Sequence, residues 1–401
     1  MTSAVAHARR KDDLQMAPPE LHLAVALDGA GWHPAAWRRP QARPAELFSA
    51  RYWVDLALEA ERGLLDLITF EDALGPQSSR DDGPDDRTDQ VRGRLDAGLI
   101  AARVAPRTQR IGLVPGVVIT HTEPFHISKA VASLDYISNG RAGWQPKVSG
   151  LRSEAAHFGR REVHTAELFD EAADHVEVVR RLWDSWEDDA EIRDVATGRF
   201  IDRAKLHYID FAGKWFDVKG PSITPRPPQG QPLVTALATD SAGHRFAARA
   251  ADVVFTTPHD VEQARLVESR IRAEQAEAGR EQDRLHVFGD IAVFLGADAA
   301  DRKAGLDELD GAEYTSDAPV FTGTAAELAD RLQAWSAAGL TGFRLRPGAI
   351  PEDLTAITRE LVPELQRRGL FRTSYDTGSL RGRLGLPRPA SRYATTSGGR
   401  P

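Results

Sequence analysis

Residues 21–34 read LHLAVALDGAGWHP, an apolar run of strand type that delivers Gly29-Ala30-Gly31 at its end. A strand running into Gly-x-Gly is how a phosphate-cradling dinucleotide loop begins. Such a loop also needs a third glycine three residues after Gly31, where the following helix packs closely on the strand. This chain has Pro34 there, after Trp32 and His33, and no acidic residue follows at the required distance at the end of a second strand. The next segment, AAWRRPQARP, is a proline-punctuated loop rather than a helix start. The dinucleotide reading fails. What remains is a first strand followed by a loop whose glycines serve a tight turn.

Seven further runs have the same character: LDLITF (65–70), RIGLVPGVVIT (110–120), RAGWQPKVS (141–149), PLVTALA (232–238), DVVFTT (252–257), LHVFGDIAVFL (285–295) and FRLRP (343–347). Helical patterns separate them. FHISKAVASLDYIS (125–138) follows the third run. The stretch AELFDEAADHVEVVRRLWDSW carries Leu168, Ala172, Val176, Val179 and Trp183 at helical spacing. Strand–helix alternation repeated eight times predicts an α/β protein, a (β/α)8 barrel with an insertion between strands 4 and 5. Strand counting leaves an open doubly wound sheet as the alternative. The expected organisation is a tail over 1–20, one barrel domain over 21–388 and a second tail over 389–401. The insertion covers about 187–231, too long for a plain loop. Within it LHYIDFAGKWFDVKGP predicts a hairpin turning at Gly213-Lys214. GPQSSRDDGPDDRTDQ (75–90), polar and acidic, follows the second strand as a lid or a solvated loop.

Composition narrows the function. The 401 residues carry 51 Lys and Arg against 59 Asp and Glu, a net charge of −8 that argues against a nucleic-acid partner. There is no Cys, which excludes disulfides, thiolate nucleophiles and cysteine-ligated metal sites. Residues 1–20 lack the apolar core of a secretion signal, and no run approaches the ~18 apolar residues of a membrane helix. The expectation is a cytoplasmic protein with no membrane association. Neither a serine nucleophile elbow nor a phosphate-binding Gly-Lys loop occurs.

The segments GWHPAAWRRP, EPFHISKAVASLDYISNGRAGW, VVRRLWDSWEDDA, FDVKGPSITPRPPQGQP and VPELQRRGLFRTSYDTGSLRGRLGL occur in this order and carry a family likeness. Together they resemble the bacterial-luciferase-like flavin monooxygenases, in the branch of nitrilotriacetate and dibenzothiophene-sulfone monooxygenases. The resemblance runs from about residue 21 to 388. It implies a barrel that binds reduced FMN at the C-terminal ends of its strands, in a homodimer or homotetramer. The flavin would come from a separate reductase and react with O2 to a flavin peroxide that oxygenates a small organic substrate. Such chemistry needs a closed, apolar pocket, and Trp32, Trp37, Phe70 and Trp144 lie at predicted strand ends as candidate walls. Two alternatives stand beside this reading: a degenerate flavin-binding member without oxygenase turnover, and a deazaflavin-dependent oxidoreductase on the same barrel.

Carried over position by position, the resemblance implies FMN contacts at Asp72 after the second strand and Thr120 after the third. The family's Asn-Val after RAGW is Gln145-Pro146 here, which keeps an amide on a longer arm. A His and a Tyr at the start of the following helix correspond to Thr165 and Phe169, and Phe169 brings no hydroxyl. The Gly-Ser-Ser of the phosphate site corresponds to Ala238-Thr239-Asp240. Thr239 retains a donor, whereas Asp240 adds a charge of the phosphate's own sign. Members of this branch usually carry a long insertion after the seventh strand; residues 296–324 are all that stand there.

Two histidines are candidate catalytic groups, His33 after the first strand and His121 after the third. An ordinary pKa near 6.5 suits either to general acid–base work, the plainer reading being a structural histidine. HTEPFH (121–126) has no helical two-His spacing and no third ligand, so no metal site is expected. Arg152, Arg160 and Arg161 are phosphate cations or surface charge.

Overall fold

Each of the eight apolar runs forms a strand because its alternate residues face two different apolar surroundings. The computed structural model describes residues 20–78, 80, 83–159, 167–375 and 378–394. The strands are β1 (His22–Leu27), β2 (Leu67–Phe70), β3 (Gly112–Val118), β4 (Gly143–Lys147), β5 (Leu233–Leu237), β6 (Val253–Thr256), β7 (His286–Leu295) and β8 (Gly342–Pro347). All pair in parallel, in chain order, and β8 returns to β1. The ring is closed, which excludes the open doubly wound sheet and confirms the barrel. A short strand, Val320–Gly323, pairs with the upper half of β7 from outside.

Helices cover the ring: α1 (Ala50–Arg62), α2 (Ala97–Val104), α3 (Pro124–Ile137), α4 (Leu168–Asp184), α5 (Ser241–Ala250), α6 (Val261–Glu277), α7 (Ala299–Asp310) and α8 (Ala325–Ala337). Their starts are written in short polar side chains. Ser49, Asp96, Asp240, Asp260 and Thr324 each accept a backbone N–H of the first turn, satisfying donors that a helix start otherwise leaves unpaired. The apolar face of α4 is buried as its spacing predicts, Leu168, Ala172, Val176, Val179 and Trp183 included.

The lower half of the barrel is filled by Ala24, Leu67, Val114, Leu233, Val253, Phe255 and Phe288. The C-terminal segment closes it from below with Leu380, Leu384 and Leu386. Arg383 donates to the Asp66 carbonyl (2.8 Å), and Tyr375 donates to the Leu65 carbonyl (2.7 Å). A segment far from the mouth thus seals the bottom of the core. Between α4 and β5 the chain makes two hairpins, Glu191–Asp194 with Arg199–Ile201 and Phe211–Ala212 with Asp217–Val218. The second turns at Gly213-Lys214 as expected. Its Phe211, Phe216 and Val218 pack with Ile209 on Val178 and Leu182 of α4. Among the described residues no helix is long and apolar enough to cross a membrane.

His286, at the foot of β7, is fully buried, and its Nε2 donates to the Leu384 carbonyl at 2.8 Å. Burial lowers its pKa to about 4. The unfolded chain takes up this proton near 6.5, so protons favour unfolding between those two values. The stability advantage of the native chain over His286→Gln should be constant above pH 7 and should shrink by up to ~3 kcal/mol from pH 6.5 to 4. Denaturant unfolding across that range measures it, and a gap independent of pH contradicts it.

Candidate functional site

Period-two alternation turns Thr69, Gln145, Asp290 and Arg344 into the barrel, and these four are joined across it. Arg344 Nε donates to Asp290 Oδ1 at 2.9 Å, and Arg344 Nη1 donates to Gln145 Oε1 at 3.1 Å and to Thr69 Oγ1 at 3.4 Å. One residue pair higher, Arg346 Nε donates to Asp290 Oδ2 at 3.0 Å, and its other arm reaches Asp317. The two guanidiniums are 1% and 2% exposed, and the Asp290 between them is fully buried. Each also lies over an aromatic face, Arg344 on Phe255 at 4.1 Å and Arg346 on Trp32 at 4.6 Å. Lys147 donates to Glu71 (2.9 Å) and to the Asp72 carbonyl (2.8 Å). Burial works against ionisation of Glu71, but Lys147 and Arg344 outweigh it and hold the carboxyl at about 2. The floor of the mouth is therefore charged throughout and paired throughout.

A strap made of the described residues among 71–96 covers this floor on the β1–β2 side. Arg87 bridges Asp89 (2.7 Å) and Asp310 of α7 (2.7 Å), Gln90 donates to Asp310 (3.0 Å), and Trp37 Nε1 donates to the Asp89 carbonyl (2.8 Å). The acidic loop of the sequence is thus tied across the mouth by its own charges. Beneath it lie a narrow pocket walled by Phe70 and Trp53, with room for about one water, and an open cleft past Trp32, His33 and Trp37. A third, of about 970 Å³ including open solvent, runs from Ala73 and Arg94 to Leu151 and His157. Trp144 takes no part. Gln145 faces inward, so its neighbour must face outward, and the indole is fully buried 6.0 Å from His175 of α4.

The expected contact residues fall into two groups. Asp72, Thr120 and Gln145 stand on neighbouring strands at one side of the mouth. The Asp72 carboxylate accepts the N–H groups of Ala73 (2.8 Å) and Ala97 (3.0 Å), while burial raises its pKa. Thr120 Oγ1 accepts from the Ser149 N–H at 2.8 Å, which leaves its own proton to donate. With its Oε1 on Arg344, Gln145 turns its amide NH2 away, and that group makes no hydrogen bond to a described residue. The second group lies around β5. Thr239 is exposed, and Asp240 caps α5 by accepting the Gly243 N–H at 2.7 Å. Phe169 sits 5.8 Å from Phe246, lining a cleft with Arg245 and Arg249, neither of which has an ion pair among the described residues. Thr165 lies outside the described residues, as do Arg160 and Arg161.

The two histidines are both buried. His33 Nδ1 accepts the Ala35 N–H and Nε2 donates to Asp307 of α7, each at 3.1 Å, so it ties the β1 loop to α7 in a fixed tautomer. Burial lowers its pKa against the pull of Asp307. His121 stacks on Phe158 at 5.2 Å. The residues that sequence reading missed are the paired charges of the floor. FRLRP did carry a signal, since two arginines two apart in a strand share one face.

A closed barrel whose mouth is polar, lidded and cleft has the architecture of a barrel enzyme. The luciferase-like monooxygenase family model matches residues 30–357. The chain is similar to N-acetyl-S-(2-succino)cysteine monooxygenase of Bacillus subtilis (strain 168), with 31% identity covering 94% of this chain and 98% of that one. Among solved structures it is similar to a long-chain alkane monooxygenase (TM-score 0.84, 25% identity, covering 91% and 95% of the two chains). It is also similar to a riboflavin lyase solved with modified FMN and riboflavin (TM-score 0.80, 25% identity, covering 91% and 95%). The chain belongs to the luciferase-like monooxygenase family.

Asp290→Asn removes the charge that both buried arginines share. Breaking a buried pair in this way costs about 3–5 kcal/mol. Chemical denaturation should show a loss of that order, and a loss under 1 kcal/mol would mean that Asp290 does not organise the floor.

Proposed function

We propose that this chain is the oxygenating component of a two-component, FMN-dependent monooxygenase. It takes reduced FMN from a separate reductase, admits O2 and oxygenates a small organic substrate. Membership of the family, joined to a lidded polar mouth at the C-terminal ends of the strands, carries this reading. When bound, reduced FMN supplies the two electrons with which one oxygen atom enters the substrate and the other leaves as water.

The residues present suit the group at its ring end. The amide NH2 of Gln145, which has no partner among the described residues, and the hydroxyl of Thr120 are donors for ring oxygen and nitrogen, with Asp72 beside them. Arg344 keeps Gln145 in one orientation, because the amide oxygen is committed to the guanidinium. The strap, pinned through Arg87 and Trp37, keeps bulk water from the reacting centre. At the phosphate end Thr239 is the donor, and Arg245 and Arg249 of α5 line a cleft with Phe169 in which Asp170, Glu274 and Glu277 also stand. Thr165 belongs to the same end by its place in the chain. His33 holds the β1 loop in position, and His121, buried against Phe158, is the second candidate for proton transfer. Assembly as a homodimer or homotetramer and a place in the cytoplasm complete the proposal.

The second reading, flavin binding without oxygenase turnover, draws on Asp240, whose carboxylate stands at the first turn of α5. Anaerobic titration with reduced FMN should give micromolar binding, and O2 uptake with a flavin reductase should require both proteins and a substrate. No binding in the titration contradicts the proposal, while binding without any turnover supports the second reading.

The phosphate end makes its own prediction. Thr239→Ala should weaken reduced-FMN binding several-fold. Asp240→Ser keeps the helix cap and removes the repulsion, so it should tighten binding several-fold. Unchanged dissociation constants in both variants would mean that the phosphate lies elsewhere.

A further inference from the structure

A helix start is the ordinary seat of a phosphate, because its free N–H groups and its dipole both favour an anion. At the mouth of this barrel those seats are taken by the chain's own acids. Asp240 holds the Gly243 N–H of α5 at 2.7 Å, and Asp260 holds the Gln263 N–H of α6 at 2.8 Å. At the start of α2, Asp96 holds the Leu99 N–H (2.7 Å) and Asp72 holds the Ala97 N–H (3.0 Å). Helix α3 begins with Pro124, which has no N–H to give. A phosphate approaching these four starts meets a carboxylate at three and a proline at the fourth.

The cations around the floor are already committed. Arg94 is bound to Asp28, Lys147 to Glu71, and Arg344 and Arg346 to Asp290. Arg245 and Arg249 of α5 make no ion pair among the described residues, yet these two cations share their cleft with three carboxylates, Asp170, Glu274 and Glu277. A phosphate monoester carries about −1.5 to −2 charges near pH 7, and leaving water it needs cations or open N–H groups in return. The ring-end donors, the Gln145 NH2 and the Thr120 hydroxyl, serve a flavin with or without that group. We infer that the phosphate adds no net affinity at this mouth, so that reduced riboflavin binds at least as tightly as reduced FMN. The inference rests on the flavin reading above and deepens it: the ring selects the cofactor, while the hydrogen bond that Thr239 offers the phosphate is offset by Asp240.

Anaerobic titration of the full chain with reduced riboflavin and with reduced FMN, at low and at high salt, tests the inference. Riboflavin should bind as tightly as FMN or more tightly at low salt. Salt screens repulsion between exposed charges, so it should tighten FMN relative to riboflavin, whereas a phosphate held by cations would respond in the opposite sense. Asp240→Ser should tighten FMN several-fold and leave riboflavin unchanged. FMN bound at least tenfold more tightly than riboflavin, with a preference that shrinks in salt, overturns the inference. That result would also follow from a phosphate seat supplied by Arg160 or Arg161, which lie outside the described residues. An Asp240→Ser variant that shifts both flavins equally overturns it too. The two readings fail differently: binding of FMN alone keeps the flavin reading and ends this inference, whereas binding of neither flavin ends both.

Discussion

One buried carboxylate, Asp290, holds two buried guanidiniums in the upper half of the barrel. Everything at the mouth is arranged around that contact. A closed barrel must fill its own interior, and apolar side chains do so in the lower half, where Leu380 and Leu384 complete the layer from below. In the upper half the interior is built of charge. Such a layer survives burial only when each charge is neutralised and its hydrogen-bonding positions are used. Arg344 meets that condition with Asp290, Gln145 and Thr69, and Arg346 meets it with Asp290 and Asp317. The result is a floor that is polar without being electrostatically open.

That distinction shapes the chemistry above it. A floor with a free cation would draw anions. A paired floor instead fixes dipoles and donors, such as the outward amide of Gln145, at no cost of reorganisation when a ligand arrives. The strap works by the same economy. Among its described residues Asp89 is answered by Arg87 and Asp85 by Arg92, and Arg87 and Trp37 tie the segment to α7 and to the β1 loop. A segment that reads as a lid or a solvated loop becomes a cover where Arg87 meets Asp310 and Arg92 meets Asp85.

All eight strands were legible because apolar runs bounded by turn residues are a local property. So was the hairpin at Gly213-Lys214, and so was the failure of Gly29-Ala30-Gly31 as a nucleotide loop. The helix cap at Asp240 had a local signal too, an aspartate just before a helix, which competes with its reading as a phosphate neighbour. Parity along β4 was enough to send Trp144 outward once Gln145 was placed inward. What local reading lacked was long-range closure. His33 finds Asp307, Arg87 finds Asp310, and Arg344 finds both Asp290 and Gln145, across separations that no spacing rule spans. The family positions Asp72, Thr120 and Gln145 came from resemblance. The structure adds which atoms of Thr120 and Gln145 are still unspent.

The central claim is that this paired floor, through the Gln145 NH2 that no described residue occupies, carries a reduced flavin at the mouth of the barrel. A crystal structure of the protein soaked anaerobically with reduced FMN tests it most directly. The account predicts ring density above Arg344, within hydrogen-bonding distance of the Gln145 amide, with the phosphate toward Thr239. Flavin density outside the mouth, or a ring that leaves Gln145 untouched, would contradict it.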